Sequence, residues 1–221
     1  MISIRDLEKT YARGGERVVA CNVAALDVAR GEHVALVGPS GLGKTTFLNT
    51  VAGITLPDRG TVEVAGVQVP ALGEAARDRF RARHIGMVFQ TLNLLTPFSA
   101  IENVLLGAVF GQGQQRGTRA RAEYLLERVG LGDRVDHRPN ELSLGQAQRV
   151  AMCRALINEP ELILADEPLG NQDQKTGREV LALLLELASE GDRTVLMVTH
   201  SPESAEQMQR TVDLADLRRA K

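Results

Sequence analysis

The sequence predicts an α/β fold with a parallel β-sheet as its core, an antiparallel β layer and a helical insert. The first observation is four short apolar runs that lack the alternation of a half-exposed strand, which indicates buried parallel strands at residues 33–37, 85–89, 162–165 and 194–198. The second is an alternating segment at residues 61–69, which indicates an antiparallel hairpin that turns at Ala65 and Gly66. The third is three longer amphipathic runs, which indicate helices at residues 119–129, 146–157 and 174–189.

The remaining segments complete this layout. Residues 18–28 are assigned to the same β layer as the hairpin, and the composition of residues 110–117 is that of a loop. The arginine-rich segment at residues 77–84 is interpreted as a solvated helix face. We therefore expect a single domain over residues 1–221, with a helical insert at roughly residues 91–155.

Composition and charge exclude several classes of function. The chain is 43% hydrophobic and 24% charged, which is typical of folded proteins and argues against disorder. Its 26 basic and 28 acidic residues give a net charge of −2, so the chain has no general attraction for polyanions. Aromatic residues make up 3% and tryptophan is absent, which disfavours a base-stacking surface. Nucleic acid is therefore not an expected partner.

The expected cellular setting is a reducing cytosol. The N-terminus lacks the apolar stretch of a secretory signal, and no apolar run is long enough to span a bilayer. Cys21 and Cys153 have neither metal-ligand spacing nor the pattern of a disulfide framework.

A complete phosphate-loop pattern, G-x-x-x-x-G-K-[ST], lies between an apolar strand and a helical run. Glycines allow successive N–H groups to converge on phosphate oxygens at a helix N-terminus, Lys44 adds a positive charge, and the Thr45 hydroxyl can bind Mg²⁺. The residues expected to bind the nucleotide phosphates are Gly38, Pro39, Ser40, Gly41, Leu42, Gly43, Lys44, Thr45 and Thr46. The pattern predicts nucleoside triphosphate binding over the alternative of an inert glycine-rich turn.

Polar residues follow three of the predicted strands directly. Asp166 is suited to bind Mg²⁺, and Glu167 is suited to orient and polarise an attacking water. Gln90 and His200 alone would be interpreted as turn residues, but parallel strands present their carboxyl ends at one edge of a sheet. We therefore expect Gln90 near the metal and the water, and His200 near the γ-phosphate.

The segment Leu142-Ser143-Leu144-Gly145-Gln146, which precedes the strand that ends at Asp166, resembles the LSGGQ signature of the ATP-binding-cassette (ABC) ATPases. The stretches VALVGPSGLGKTTFLNTVAG, IGMVFQTLNLL and SAIENVLLG resemble the branch that serves lipoprotein-release, macrolide-efflux and cell-division permeases. The resemblance extends from Ile2 to about His200. It implies a P-loop NTPase (RecA-like) fold and an ATPase that drives a separate membrane-spanning permease from the cytoplasmic face of the inner membrane.

The resemblance also implies roles for particular residues, with ATP and Mg²⁺ as cofactors. Tyr11 would stack on adenine, Gln90 would couple the nucleotide to the permease contact, and residues 171–173 would communicate across a dimer. In that dimer, Ser143, Gly145 and Gln146 of one copy would face the γ-phosphate held by the other. A helix of the permease would dock beside Leu92, Leu94 and Leu95, although these leucines can equally belong to the core.

Three positions depart from the family pattern. Leu144 replaces a glycine of the signature, Gln172 a leucine and Ser201 an aspartate. Because of Leu144, a second function stays possible: a regulatory module in which ATP closes the dimer and little ATP is hydrolysed. A soluble ATPase that acts on nucleic acid or ribosomes is the other alternative, and the lack of paired cassettes or long coiled-coil insertions disfavours it.

Overall fold

The computed structural model describes residues 1–111, 116–169 and 174–218. In chain order its strands are β1 (Ile2–Arg13), β2 (Glu16–Val28), β3 (His33–Val37), β4 (Arg59–Val64), β5 (Val67–Gln68), β6 (Ile85–Val88), β7 (Leu162–Asp166), β8 (Thr194–Val198) and β9 (Arg210–Asp213). Its α-helices are α1 (Lys44–Val51), α2 (Glu74–His84), α3 (Ala100–Phe110), α4 (Thr118–Arg128), α5 (Leu144–Leu156), α6 (Gln174–Glu190) and α7 (Pro202–Ala205). The predicted class, an α/β fold with a parallel and an antiparallel sheet, is confirmed.

The antiparallel sheet has the strand order β2-β1-β4-β5. Val64 pairs with Val67 across Ala65 and Gly66, so the predicted hairpin is confirmed. Strand β2 contains residues 18–28 and pairs with β1 along almost its whole length, with a bulge after Lys9. Strand β1 was not among the predicted strands, because its many charged residues mask the apolar face that it turns to the core.

The parallel sheet has the strand order β6-β7-β8-β3-β9. All four predicted strands are confirmed, and the edge strand β9, which is short and largely polar, is an addition. Val198 is level with both Leu36 and Asp166, and Val88 is level with Ala165. The carboxyl ends of β6, β7, β8 and β3 therefore lie together along one edge of the sheet.

Two apolar cores cover the two faces of the parallel sheet. Along β7, Leu162 and Leu164 pack into the core that contains Phe47 of α1, whereas Ile163 and Ala165 pack into the core that contains Val150 of α5. Burial on both faces explains why these strands are continuously apolar. It also places α1 and α5 on opposite sides of the sheet.

The predicted helices begin close to their predicted positions, and α3 and the short α7 are additions. Helices α4, α5 and α6 confirm the three amphipathic runs, and α2 confirms the helix in the arginine-rich segment. Helix α3 was not predicted, although its capping box was visible in the sequence. The Ser99 hydroxyl accepts from the Glu102 N–H, and the Glu102 carboxylate accepts from the Ser99 N–H. Residues 112–115 of the predicted loop lie outside the described residues.

Both cysteines are free and buried. Burial raises the pKa of the Cys21 thiol to about 12, so this thiol stays protonated at neutral pH. None of the helices in the described ranges combines the length and the apolarity that crossing a bilayer requires.

Candidate nucleotide site

The phosphate loop connects β3 to α1 and leaves a helix N-terminus open. Gly43 stands at the N-cap with a φ of 94° and supplies no side chain to the N–H groups of the first turn. Lys44 is buried, and its Nζ donates to the carbonyls of Gly38 at 2.7 Å and Pro39 at 3.1 Å. Uncapped N–H groups and an ammonium held over the loop together form an anion site.

The loop rests against the antiparallel sheet. A Cβ at Gly43 would lie 1.8 Å from the carbonyl oxygen of Ala20 on β2, so only glycine permits this approach.

Close by in the sheet, Tyr11 pairs with Val18, and both side chains are nearly half exposed (45% and 44%). An exposed aromatic and aliphatic surface next to a phosphate loop can stack a nucleobase.

Asp166 and Thr45 meet at the edge of the sheet. The Thr45 side chain donates a hydrogen bond to Asp166, and burial nevertheless raises the pKa of the Asp166 carboxyl above its usual range, with the neighbouring charge of Glu167 adding to the rise. Carboxylate, hydroxyl and amide oxygens are the ligands that Mg²⁺ prefers, and these residues therefore fit the metal. Gln90 lies two residues beyond β6 with an exposed side chain, and its part in the metal site stays a prediction.

Glu167 and His200 form a direct pair. Glu167 Oε2 lies 2.7 Å from Nδ1 of His200, with the Glu167 side chain 20% exposed and that of His200 68% exposed. The Glu167 backbone has a φ of 43°, and its N–H donates to the Val198 carbonyl at the end of β8. A non-glycine residue in this region stores strain on the order of 1 kcal/mol, a frequent feature of functional sites. The expected proximity of the two strand ends is confirmed.

The signature segment forms the first turn of α5. Ser143 is the N-cap: its hydroxyl accepts from the Gln146 N–H at 3.3 Å, and the Gln146 side chain accepts from the Ser143 N–H at 2.9 Å. Gly145 is buried, whereas the Leu144 side chain is 49% exposed and points away from the core. The leucine that replaces the glycine of the signature therefore does not cover the backbone N–H groups of this turn.

One copy of the chain does not bring the signature and the phosphate loop together. Helix α5 packs against α3, α4, α6 and β6, whereas α1 packs against β2, β4, β7 and β8. The two helices cover opposite faces of the parallel sheet. Residues 171–173 lie outside the described residues, as does the departure at Gln172.

Two residues of α5 that sequence reasoning missed connect the signature helix to the rest of the site. Gln148 is buried, and its Nε2 donates to the carbonyl of Pro168, just after Glu167. Arg154 donates to the carbonyls of Leu92 and Asn93, at 2.6 and 2.7 Å, just after Gln90. A polar residue at position 148 inside an otherwise apolar helix face was the available signal.

A groove of about 630 Å³ lies between α2, β6, α3 and α5. Its apolar lining includes Ile54, Met87, Phe89, Leu95 and Leu106. Of the three leucines expected at a docking surface, Leu95 lines the groove with 47% of its surface exposed, whereas Leu94 packs against the core. Leu94 therefore belongs to the core and Leu95 does not, and docking of a permease helix beside these leucines stays a prediction.

A strand, an anion-binding loop, a helix and a second strand that ends in carboxylates define a P-loop NTPase. The family model described as "ABC transporter" matches residues 21–170, and the chain belongs to this family.

Curated relatives and solved structures agree with this assignment. The chain is 45% identical to the lipoprotein-releasing system ATP-binding protein LolD of Pseudomonas fluorescens, over 98% of this chain and 95% of the relative. It is 42% identical to the macrolide export ATP-binding/permease protein MacB of Bradyrhizobium diazoefficiens, over 98% of this chain and 33% of that longer protein. The dimeric ATP-binding cassette MJ0796, in a post-hydrolysis state bound to ADP and Pi, superposes with a TM-score of 0.88 at 37% identity, covering 99% of this chain and 94% of that one.

The expected family, P-loop fold and ATPase activity are thereby confirmed. ATP and Mg²⁺ are the cofactors of such a cassette, and the chain is an ATP-binding, ATP-hydrolysing subunit of an ABC transporter. The expected partners, a second cassette and a membrane permease, are the kinds found among these relatives.

Proposed function

We propose that this chain powers a transporter of the LolD and MacB type, which releases lipoproteins or exports macrolides, from the cytoplasmic face of the inner membrane. The match to LolD, which covers 95% of that relative, supports an ATP-binding subunit that acts with a membrane permease. The observation that carries the ATPase mechanism is the contact of 2.7 Å between Glu167 and His200 at the edge of the sheet that holds the phosphate loop.

In this mechanism Glu167 orients the attacking water and accepts its proton, and His200 holds the carboxylate in position. Lys44 and the N–H groups of the loop from Gly38 to Thr46 bind the phosphates. Thr45, Asp166 and Gln90 would hold Mg²⁺, which would neutralise negative charge on the phosphates. Tyr11 supports the adenine ring from the antiparallel sheet.

The placement of α1 and α5 on opposite faces of the sheet favours a site shared between two copies. Ser143, Gly145 and Gln146 of one copy then complete the γ-phosphate site of the other. The Ser143 hydroxyl accepts from the Gln146 N–H and can at the same time donate its own hydrogen to a phosphate oxygen. We also propose that residues 1–221 form one ATPase domain in which residues 91–155 are the helical subdomain.

The groove beside α2, β6, α3 and α5 is proposed as the permease contact. It exposes Ile54 and Leu95 and lies directly after the strand that leads to Gln90. Arg154 lines this groove and donates hydrogen bonds to the Leu92 and Asn93 carbonyls. A permease segment in the groove would therefore contact both the signature helix α5 and the residues that follow Gln90.

The test is an ATPase assay of the purified chain with Mg²⁺, combined with isolation of the tagged chain from detergent-extracted membranes of its own host. We expect turnover, and we expect a membrane-spanning permease of the lipoprotein-release or macrolide-export type to co-purify. Turnover with a permease of another type would retain the ATPase and overturn the proposed cargo class. A chain that binds ATP without turnover would support the regulatory alternative.

A further inference from the structure

A second cavity, of about 230 Å³, joins the proposed helical subdomain to the core on the α5 side of the sheet. It is lined by α4, by the connection from α5 to β7, and by the end of α6 with the turn into β8. Two arginines line it, Arg121 on α4 and Arg193 directly before β8. None of the residues expected to bind ATP lines this cavity.

Arg193 is a buried cation without a matching carboxylate. The residue is 9% exposed, its Nη1 donates to the Leu187 carbonyl at 2.9 Å, and its buried Nε has no hydrogen-bond partner. Within the described part of the chain, no carboxylate lies within 4 Å of its guanidinium. Burial lowers the pKa of Arg193 from its usual range, the neighbouring charge of Arg121 adds to this effect, and the charges of Glu159 and Glu190 oppose it only in part. A buried charge that lacks a counter-ion is costly for a folded protein.

Arg121 is only loosely neutralised. Its Nη2 lies 3.5 Å from the exposed carboxylate of Glu159, and its own Nε is buried without a partner. The other carboxylate that lines the cavity, Glu190, is occupied by Arg128 at 2.7 Å. Two guanidinium groups thus face one polar cavity in which a single weakly held carboxylate is available.

We propose that this cavity binds a small oxyanion of phosphate size between Arg121 and Arg193. Guanidinium groups match the oxygens of phosphate in geometry and charge, and an anion between the two arginines would relieve their mutual repulsion. Since Arg121 belongs to the insert and Arg193 to the core, the bound anion would also tie these two parts together. This site is separate from the proposed ATPase mechanism and does not depend on it.

The experiment uses the full chain with Lys44→Ala, which weakens anion binding at the phosphate loop. Inorganic phosphate is titrated by calorimetry and by thermal unfolding at constant ionic strength, with chloride as the reference salt. We expect saturable binding and a rise in the unfolding midpoint. Adding Arg121→Gln or Arg193→Gln should weaken phosphate binding by about tenfold or more, because a charge-assisted hydrogen bond is lost. Arg79→Gln, an exchange on the exposed face of α2, is the matched control and should leave the affinity unchanged.

Arg121→Gln decides the outcome even if Arg193→Gln fails to fold, because the Arg121 side chain is already partly exposed. Absence of phosphate binding to the Lys44→Ala chain below about 10 mM overturns the proposal, since it would leave only water in the cavity. Phosphate affinity that is the same with Arg121→Gln as with the Arg79→Gln control overturns it as well. Comparison of phosphate with acetate then distinguishes a phosphate site from a general carboxylate site.

Discussion

Glu167 and His200 are joined across two neighbouring strands, with 2.7 Å between Oε2 of the glutamate and Nδ1 of the histidine. The Glu167 N–H is fixed in turn by the Val198 carbonyl of β8. The carboxylate is therefore oriented by contacts on both its backbone and its side chain. Such orientation suits a group that must hold a water in line with a phosphate.

We expect Glu167→Gln to retain ATP binding and to lose turnover by about 10²–10³-fold, because the amide cannot accept a proton from water. ATP-bound dimers should accumulate, and light scattering with ATP and Mg²⁺ should detect them. Glu206→Gln, an exposed exchange beyond α7, controls for the loss of one negative charge. Turnover of Glu167→Gln at the parent rate would remove this residue from the mechanism.

We expect Ser143→Arg to abolish turnover while ATP binding to the monomer is retained, since the phosphate contacts of the monomer come from the loop around Lys44. Lys44→Ala should fail instead by weakening nucleotide binding. Binding is measured by nucleotide fluorescence titration and turnover by phosphate release.

Mixing these two inactive variants tests whether the site is shared between copies. A mixed head-to-tail dimer has one site with both defects and one site with neither. Random pairing makes half of the dimers mixed, so about a quarter of the parent turnover should return if the sites fire independently. A mixture that forms dimers and stays inactive would argue against independent shared sites, and normal turnover by Ser143→Arg alone would argue against any role of the signature.

We expect Gly43→Ala to destabilise the fold by about 3 kcal/mol or more and to abolish ATP binding, because its Cβ would collide with the Ala20 carbonyl. Gly14→Ala is the matched control: Gly14 also has a positive φ, of 60°, but its Cβ would meet nothing within 4 Å. It should cost only about 1 kcal/mol, from backbone strain. Equal losses in urea unfolding of the two variants would show that the collision is unimportant.

Stability should fall as the pH drops below about 6.5, the ordinary pKa of histidine. Burial lowers the pKa of His33, a bond to the Arg193 backbone opposes this effect, and the His33 Nε2 is buried without a partner. The unfolded chain therefore takes up a proton at His33 before the folded chain does. The free energy of unfolding should decrease by up to about 1.4 kcal/mol per pH unit from this residue, until the lower folded pKa is passed.

Urea unfolding between pH 7.5 and 5.5 measures this dependence. His33→Gln should flatten it, whereas His137→Gln should leave it as in the parent chain. A pH dependence that is unaffected by His33→Gln would assign the effect to other groups.

The sequence predicts best what local patterns determine. Strands β6, β7, β8 and β3 are buried on both faces and are therefore continuously apolar, and the phosphate loop is a contiguous motif. Strand β1 has one buried face and many charges, so its pattern is weaker. Helix α3 was missed although Ser99 and Glu102 formed a readable capping box.

Contacts between distant parts of the chain could not be predicted in this way. The bonds from Arg154 to Leu92 and Asn93 join residues about 60 positions apart, and no local periodicity encodes them. The Glu167–His200 contact could be predicted only because both residues directly follow parallel strands, whose carboxyl ends lie at one edge of the sheet. The separation of Ser143 from the phosphate loop follows from the burial of α1 and α5 on opposite faces, a property of the assembled sheet.

Helix α5 links the signature segment to the connection that follows Gln90. Its 13 residues span about 20 Å, with Ser143 capping one end and Arg154 gripping the Leu92 and Asn93 carbonyls near the other. Backbone hydrogen bonds stiffen a helix of this length, so a displacement of Leu92 or Asn93 would be carried through Arg154 and along α5 to Ser143. Under the proposed function, a permease segment seated in the groove of one copy would thereby act on the nucleotide held by the other copy.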